Sequence, residues 1–156
     1  MRLSREQIIP VKADAQELPF AREFFDAVVS VDSYHYFGRD ERFLDEKLLP
    51  FVKKGGYIYI AIPGMKQDCH DQLPSELLLS WTPEQLDYMH DVGYWRDMVG
   101  KSRGAEVLEV SEMESNEEVW ADWLRQENEY AIGDRKAMEA GGGKYLNFIK
   151  IVLRKK

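Results

Sequence analysis

Three side chains with acid–base capacity stand directly after apolar runs that resemble strands. Asp14 follows the run at residues 8–11, and Asp32 and His35 follow the run at residues 24–30. Ligands of open α/β sheets bind outside the carboxyl ends of the parallel strands, because backbone amides and short polar side chains converge there. Carboxylates and an imidazole at such an edge can accept hydrogen bonds or protons. The sequence therefore predicts a ligand site that contains all three residues.

The elements that must position these residues form a β-α-β unit over residues 7–64. Residues 24–30 are an apolar, β-branched run without polar alternation, which predicts a strand buried on both faces. Residues 40–52 have apolar side chains at helical spacing, and residues 57–62 predict the next buried strand. Gly55 and Gly56 stand between them and supply the positive φ that a helix-to-strand turn needs.

Outside this core the pattern of alternating elements continues. Residues 8–11 predict a short strand, which Pro10 confines to an edge or a strand end. Thr82 predicts a helix start, and Asn116 predicts the cap of a second helix. The last sheet elements are strands predicted at residues 107–113 and 145–153. Residues 114–143 between them are an inserted helical segment, and residues 1–156 form a single domain.

Composition excludes several classes of protein. The chain has 156 residues and a net charge of −7, which disfavours binding to nucleic acid because that binding needs clustered cations. No run approaches the roughly 20 apolar residues of a membrane span. One cysteine, Cys69, cannot pair within the chain, and this pattern predicts a cytoplasmic location.

Three motifs resemble those of a known family. They are DAQELPF at residues 14–20, FDAVVS at residues 25–30 and VKKGGYI at residues 52–58. In this order and spacing they are similar to the class I S-adenosylmethionine-dependent methyltransferases of the methyltransferase-11 type, in the branch that acts on small molecules. The resemblance implies an α/β fold with a Rossmann-like methyltransferase sheet that lacks its first two strands. The expected sheet is mixed, with an antiparallel last strand and helices on both faces.

The resemblance also implies a half-site for the cofactor S-adenosylmethionine. Asp14 would accept a hydrogen bond from the adenine amino group, with the Ala15 amide nearby and Leu18 lining the adenine pocket. Val31 and Asp32 would lie along the cofactor. Asp14 has a second interpretation, since aspartate is also common as the residue that caps a strand end.

By the same resemblance, two residues face the methyl donor and the small-molecule substrate, namely Tyr34 and His35. His35 or Asp32 would be the catalytic base. A histidine in an aromatic loop is as often packed and hydrogen-bonded as catalytic, and Tyr34 would more often belong to the core.

The family's glycine-rich loop, G-x-G-x-G, has no counterpart before Asp14. The first expectation is therefore a truncated methyltransferase that holds half of the cofactor site. The alternative is a non-enzymatic, degenerate module that binds a partner. In either case the strand at residues 25–30 has an open edge, which suits a homodimer.

A metal site is not predicted. Cys69, His70 and Asp71 are adjacent on a loop, and neighbouring residues seldom reach one ion together. His90 is not linked to them by a recognisable ligand spacing.

Overall fold

The computed structural model describes residues 7–156, which build one mixed sheet. The sheet has four strands in the order β1-β2-β4-β3. β1 runs parallel to β2, whereas β4 is antiparallel to both of its neighbours. This arrangement confirms the predicted mixed sheet with an antiparallel last strand. The strands are β1 (Phe25–Val31), β2 (Val52–Met65), β3 (Ala105–Glu112) and β4 (Leu146–Lys155).

Four α-helices accompany the sheet: α1 (Pro83–Leu86), α2 (Val92–Gly100), α3 (Asn116–Leu124) and α4 (Glu129–Glu139). Thr82 caps α1 as predicted, through a capping box with Gln85. The predicted cap at Asn116 is wrong, because Ser115 occupies that position. The Asn116 side chain instead accepts a hydrogen bond from the Phe148 backbone at 2.8 Å, and so ties α3 to β4.

The predicted helix over residues 40–52 is shorter and irregular. It consists of a π-helical turn at Leu44–Leu48 and a 3₁₀ turn at Leu49–Phe51. Pro50 withholds a backbone N–H, so a regular helix cannot continue through it. The two glycines do not end this helix but lie within β2. Gly55 has φ of +76° there, and the register between β1 and β2 shifts at this point.

Two predictions about the parallel edge of the sheet are wrong. Residues 8–11 form no strand, and their apolar side chains are exposed. β1 is not buried on both faces either, since Val29 and Val31 are 69% and 64% exposed. Among the described residues β1 pairs only with β2, so its outer edge and one of its faces lack a cover.

The main core lies on one face of the sheet. Ile58, Ile60 and Ile62 of β2 are buried there, and Trp95 of α2 is buried in the same cluster. A second cluster includes Met65 at the end of β2, together with residues of α3, α4 and the loops between them. The two clusters lie on opposite faces of the sheet and confirm that helices cover both faces. The second cluster covers only one end of its face. None of the helices in residues 7–156 is long and apolar enough to cross a membrane.

Candidate active site

Asp32 stands directly past the end of β1 in a backbone conformation that is rare for a residue with a side chain. Its φ is +51°, and its N–H donates a hydrogen bond to the Ala61 carbonyl oxygen at 2.8 Å. Such a conformation costs on the order of 1 kcal/mol or more and is found preferentially at functional sites. The bond to β2 therefore holds the Asp32 side chain at the carboxyl edge of the two parallel strands.

A second carboxylate influences Asp32. Burial raises the pKa of Asp32, and the negative charge of Asp134 raises this pKa further. Asp134 belongs to α4, where the Trp123 indole N–H donates a hydrogen bond to it at 2.8 Å. Burial also raises the pKa of Asp134. The inserted helices thus bring an acidic group toward the strand end, a contribution that no sequence motif around Asp134 signals.

His35 lies in a short 3₁₀ turn after β1 and is only 2% exposed. Its ring is 4.0 Å from the Tyr36 ring, centroid to centroid, and Nδ1 has no hydrogen-bond partner among the described residues. Burial, with a smaller effect from the Arg39 charge, lowers the pKa of His35 to about 4. The imidazole is therefore neutral at pH 7, and the same burial makes it a weaker base than an exposed histidine.

An ion pair that the sequence did not reveal lies beside His35. Arg39 contacts the Asp87 carboxylate at 2.6 Å, and its guanidinium lies 4.1 Å from the centroid of the Tyr88 ring. The Tyr88 ring in turn meets the Tyr36 ring at 5.2 Å. This chain of contacts joins the loop after β1 to the segment before α2, and it forms an aromatic and cationic wall next to His35.

The predicted adenine-side residues lie on a turn near the start of the described chain. The Asp14 carboxylate accepts a hydrogen bond from the Gln16 backbone at 2.8 Å, and the Asp14 carbonyl accepts one from Glu17. Asp14 is exposed, while Ala15 and Leu18 are half-buried. The turn is self-supporting, and the Asp14 carboxylate is presented to solvent without an ion pair to any described residue.

Tyr34 has a different environment from the other predicted site residues. It is 3% exposed and packs in the main core, with its ring 5.9 Å from Phe43 and 6.0 Å from Trp95. This placement favours a packing role for Tyr34 over contact with a ligand.

A cleft of the described chain lies elsewhere. It has a volume of about 740 Å³ and lies between α3 and α4, with Lys66 and Lys144 at its margin. None of the residues predicted from the sequence lines it. The cleft lies mainly within the inserted segment, outside the strand-end site.

The fold and the polar strand ends define a class of protein. A mixed sheet whose parallel strands end in polar loops, and whose last strand is antiparallel, is the Rossmann-like methyltransferase fold. Residues 1–60 match the model of the family described as methyltransferase domain. This match confirms the resemblance inferred from the three motifs.

Solved methyltransferases share this fold. Geranyl diphosphate C-methyltransferase from Streptomyces coelicolor A3(2), solved with S-adenosyl-L-homocysteine, is 12% identical with a TM-score of 0.66 over 97% of this chain. Phosphoethanolamine N-methyltransferase 2 from Haemonchus contortus, solved with S-adenosyl-L-methionine, is 17% identical with a TM-score of 0.65 over 91% of this chain. The chain spans 54% of the first protein and 36% of the second.

A curated relative is closer in sequence over a shorter stretch. It is a tRNA (carboxymethyluridine(34)-5-O)-methyltransferase of Arabidopsis thaliana, 32% identical over 81 residues. The match covers 51% of this chain and 19% of that protein. The chain thus spans less than two thirds of the length of each of these relatives.

The fold alone does not fix the reaction. The cyclase SpnF is 16% identical, with a TM-score of 0.61 over 97% of this chain, and its name describes a different activity. Function must therefore be argued from the residues at the strand ends.

Proposed function

We propose that this chain contributes the adenine side and the acceptor side of an S-adenosylmethionine-dependent methyltransferase acting on a small molecule. The observation that carries the proposal is Asp32, held at positive φ at the joint edge of β1 and β2, in a chain whose residues 1–60 match the methyltransferase family. Under this proposal Asp14, Ala15 and Leu18 contact the adenine. Val31 and Asp32 lie along the donor.

The residues fit one half of such a cofactor. Asp14 presents a solvent-facing carboxylate, which is the acceptor that an adenine amino group needs. Val31 adds an exposed apolar surface beside Asp32. No glycine-rich loop joins a strand to a helix within residues 7–156, so the described chain offers nothing of that kind for the methionine carboxylate.

The cofactor, when bound, supplies a methyl group on a positively charged sulfur. Its sulfur would keep the electron pair of the sulfur–carbon bond when the acceptor takes the methyl group. The protein must align the acceptor with that bond and take its proton. His35 is the candidate proton acceptor because its ring is neutral at pH 7 and Nδ1 is unpartnered in the described chain. Asp32 is the second candidate for this proton.

The acceptor is a small molecule under this proposal. The curated relative acts on tRNA by its name, but this chain has a net charge of −7, which opposes contact with a polyanion.

Nuclear magnetic resonance with isotope-labelled protein tests the donor site. Millimolar S-adenosylmethionine should shift the amide signals of Asp14, Ala15, Leu18, Val31 and Asp32. Adenosine alone should reproduce the shifts on residues 14–18. Asp14→Asn should weaken both effects, while the matched control Asp71→Asn, on a distant exposed loop, should not. Shifts confined to other residues, or no shifts at all, would contradict the proposal. Micromolar affinity would contradict the expectation that this chain holds only half of the cofactor site.

A second candidate function rests on a separate observation. The outer edge of β1 is open in the described chain, and Val29 and Tyr59 are exposed as paired neighbours on one face of the sheet. Such an edge can pair with another strand. We infer from this a non-enzymatic alternative, in which the chain is a module that forms a homodimer through β1.

Sedimentation velocity at micromolar concentration tests the second candidate. A dimer is expected, and Val29→Lys should dissociate it because a lysine on an edge strand opposes pairing. Leu108→Lys is the matched control, since Leu108 is an exposed apolar residue on the other edge strand. A monomeric wild type with freely exchanging β1 amides would reject this function.

A further inference from the structure

Two histidines and an aspartate that are separated in sequence meet beside the end of β2. Asp68 and His70 belong to the loop after β2, and His90 belongs to the segment before α2. One ligand atom from each lies within 4.8 Å of the others. These three residues are called the Asp68–His70–His90 cluster below.

The hydrogen bond made by Nε2 of His70 determines which ring nitrogen carries the proton. His70 Nε2 lies 3.0 Å from the Leu86 carbonyl oxygen, and a carbonyl oxygen can only accept. Nε2 therefore carries the proton. In the neutral ring Nδ1 then has a free lone pair, and this lone pair faces the Asp68 carboxylate at 3.0 Å.

Two lone pairs that face each other at this distance repel unless a positive charge lies between them. A proton on Nδ1 is one way to supply that charge, and a bound cation is another. A metal-ligating histidine usually donates its other N–H to a backbone carbonyl or a carboxylate, which is the arrangement that His70 has with Leu86.

His90 supplies a third potential metal-ligand atom to the cluster. Its Nδ1 lies 3.9 Å from the second oxygen of Asp68 and has no hydrogen-bond partner in the described chain. The ring is stacked on Tyr94 with centroids 3.6 Å apart, which fixes its plane. A buried imidazole nitrogen without a partner costs free energy, and coordination would remove this cost.

The surrounding charges are compatible with a cation. Asp87 lies near both histidines, and Arg39 lies near His90. Asp87 and Arg39 neutralise each other in an ion pair at 2.6 Å. Asp68 therefore supplies the negative charge of the cluster. Zinc ligands lie about 2.0–2.2 Å from the ion, so the observed separations require adjustments on the order of 1 Å in the side chains.

We propose that the Asp68–His70–His90 cluster binds one divalent transition-metal ion of the kind that imidazole prefers, such as zinc, cobalt or nickel. The ion joins the loop after β2 to the segment before α2, and it leaves at least one coordination position for water. Imidazole and carboxylate ligands favour these metals over calcium and magnesium. The proposal does not depend on methyl transfer.

Calorimetric titration of the metal-free 156-residue chain with Zn²⁺ and Co²⁺ tests the site. One equivalent should bind, and Asp68→Asn, His70→Gln and His90→Gln should each weaken binding by at least about tenfold. Asp71→Asn is the matched control, because it removes an exposed carboxylate directly after His70 that is not one of the three ligands. It should bind as the wild type does.

Thermal unfolding gives an independent readout. Zn²⁺ should raise Tm of the wild type and of Asp71→Asn but not of the ligand variants, since a ligand that binds only the folded state stabilises it. If His90→Gln does not fold, His70→Gln decides the question, because His70 lies on a surface loop. The proposal is overturned if the wild type does not bind saturably, or if the ligand variants bind as tightly as Asp71→Asn. Neither measurement uses a methyl donor, so its failure is separate from failure of the proposed enzyme.

Discussion

Gly64 lies directly against the backbone of His90. A Cβ atom at position 64 would be 2.5 Å from the His90 carbonyl oxygen and 2.5 Å from Cδ1 of Ile149. The same carbonyl accepts a hydrogen bond from the Met65 N–H at 3.1 Å. The end of β2 and the segment that carries His90 are therefore packed backbone to backbone, and only glycine fits between them.

Gly64→Ala should lower the free energy of unfolding by about 1–3 kcal/mol, since the added methyl group forces the two backbones apart. Urea unfolding measures the change. Gly133→Ala is the control: nothing lies within 4 Å of a Cβ at position 133 of α4, so it should stabilise the protein by about 0.5–1 kcal/mol. A Gly64→Ala protein as stable as the wild type would show that the two segments can separate without cost.

His35 should make stability depend on pH in a defined window. Its pKa falls from an ordinary value near 6.5 to about 4 in the folded protein. Between these values the unfolded chain binds a proton that the folded chain does not, so the free energy of unfolding falls as the pH falls through the window. The loss from this group should be about 3 kcal/mol by pH 4.

Carboxylates also titrate in this range, so the informative quantity is a difference between two proteins. Urea unfolding of the wild type and of His35→Gln from pH 7.5 to pH 4 should give curves that converge as the pH falls. Parallel curves would show that the His35 ring is protonated as easily in the folded state as in the unfolded one.

Asp134→Asn should lower the pKa of Asp32, because it removes the negative charge that opposes ionisation of the Asp32 carboxyl group. A carbon-detected magnetic resonance titration of the Asp32 carboxyl group measures this shift. Asp122→Asn on α3 serves as the control, since Asp122 already pairs with Arg125 and does not act on Asp32. An unchanged Asp32 titration in Asp134→Asn would mean that α4 does not approach the strand end in solution.

The Ser80 hydroxyl lies within the hydrogen-bond ladder of α4. It donates to the Gly133 carbonyl at 2.7 Å and accepts from the Ala137 N–H at 2.9 Å, two groups that an α-helix would otherwise pair with each other. Ser80→Ala should cost about 1 kcal/mol in unfolding experiments.

The matched control for this change is Ser75→Ala, which removes an exposed serine with a single contact to Glu76 and should stay within about 0.5 kcal/mol of the wild type. Equal stability of the two variants would indicate that α4 closes its own ladder when the hydroxyl is removed.

Local patterns predicted much of the sheet. The strand at residues 57–62 lies within β2, and the one at residues 145–153 overlaps β4, because long apolar or alternating runs can be buried in few other ways. The predicted helix at residues 40–52 failed at Pro50, and the strand at residues 8–11 failed because the described sheet gives it no neighbour.

The candidate sites were less predictable, for a different reason. Asp32 and His35 follow a strand in sequence, so their position at its end could be inferred from the chain alone. Asp134 reaches the same region from a helix about a hundred residues later. Likewise, His90 joins Asp68 only through tertiary packing, and no spacing in the sequence encodes that approach.

The two edges of the sheet differ in a way that limits how copies could assemble. β3, at one edge, carries Glu106, Glu109 and Glu112, and charged side chains on an edge strand oppose the approach of a second strand. Arg154 and Lys150 of β4 pair with Glu106 and Glu109. β1, at the other edge, presents Val29 and Val31. If β1 of one copy paired with β1 of a second copy about a two-fold axis, the open edges of both copies would be used at once. The β3 edges, with their charged side chains, would then lie at the two ends of the combined sheet. Assembly through this sheet would therefore stop at two copies and would not grow into a fibre.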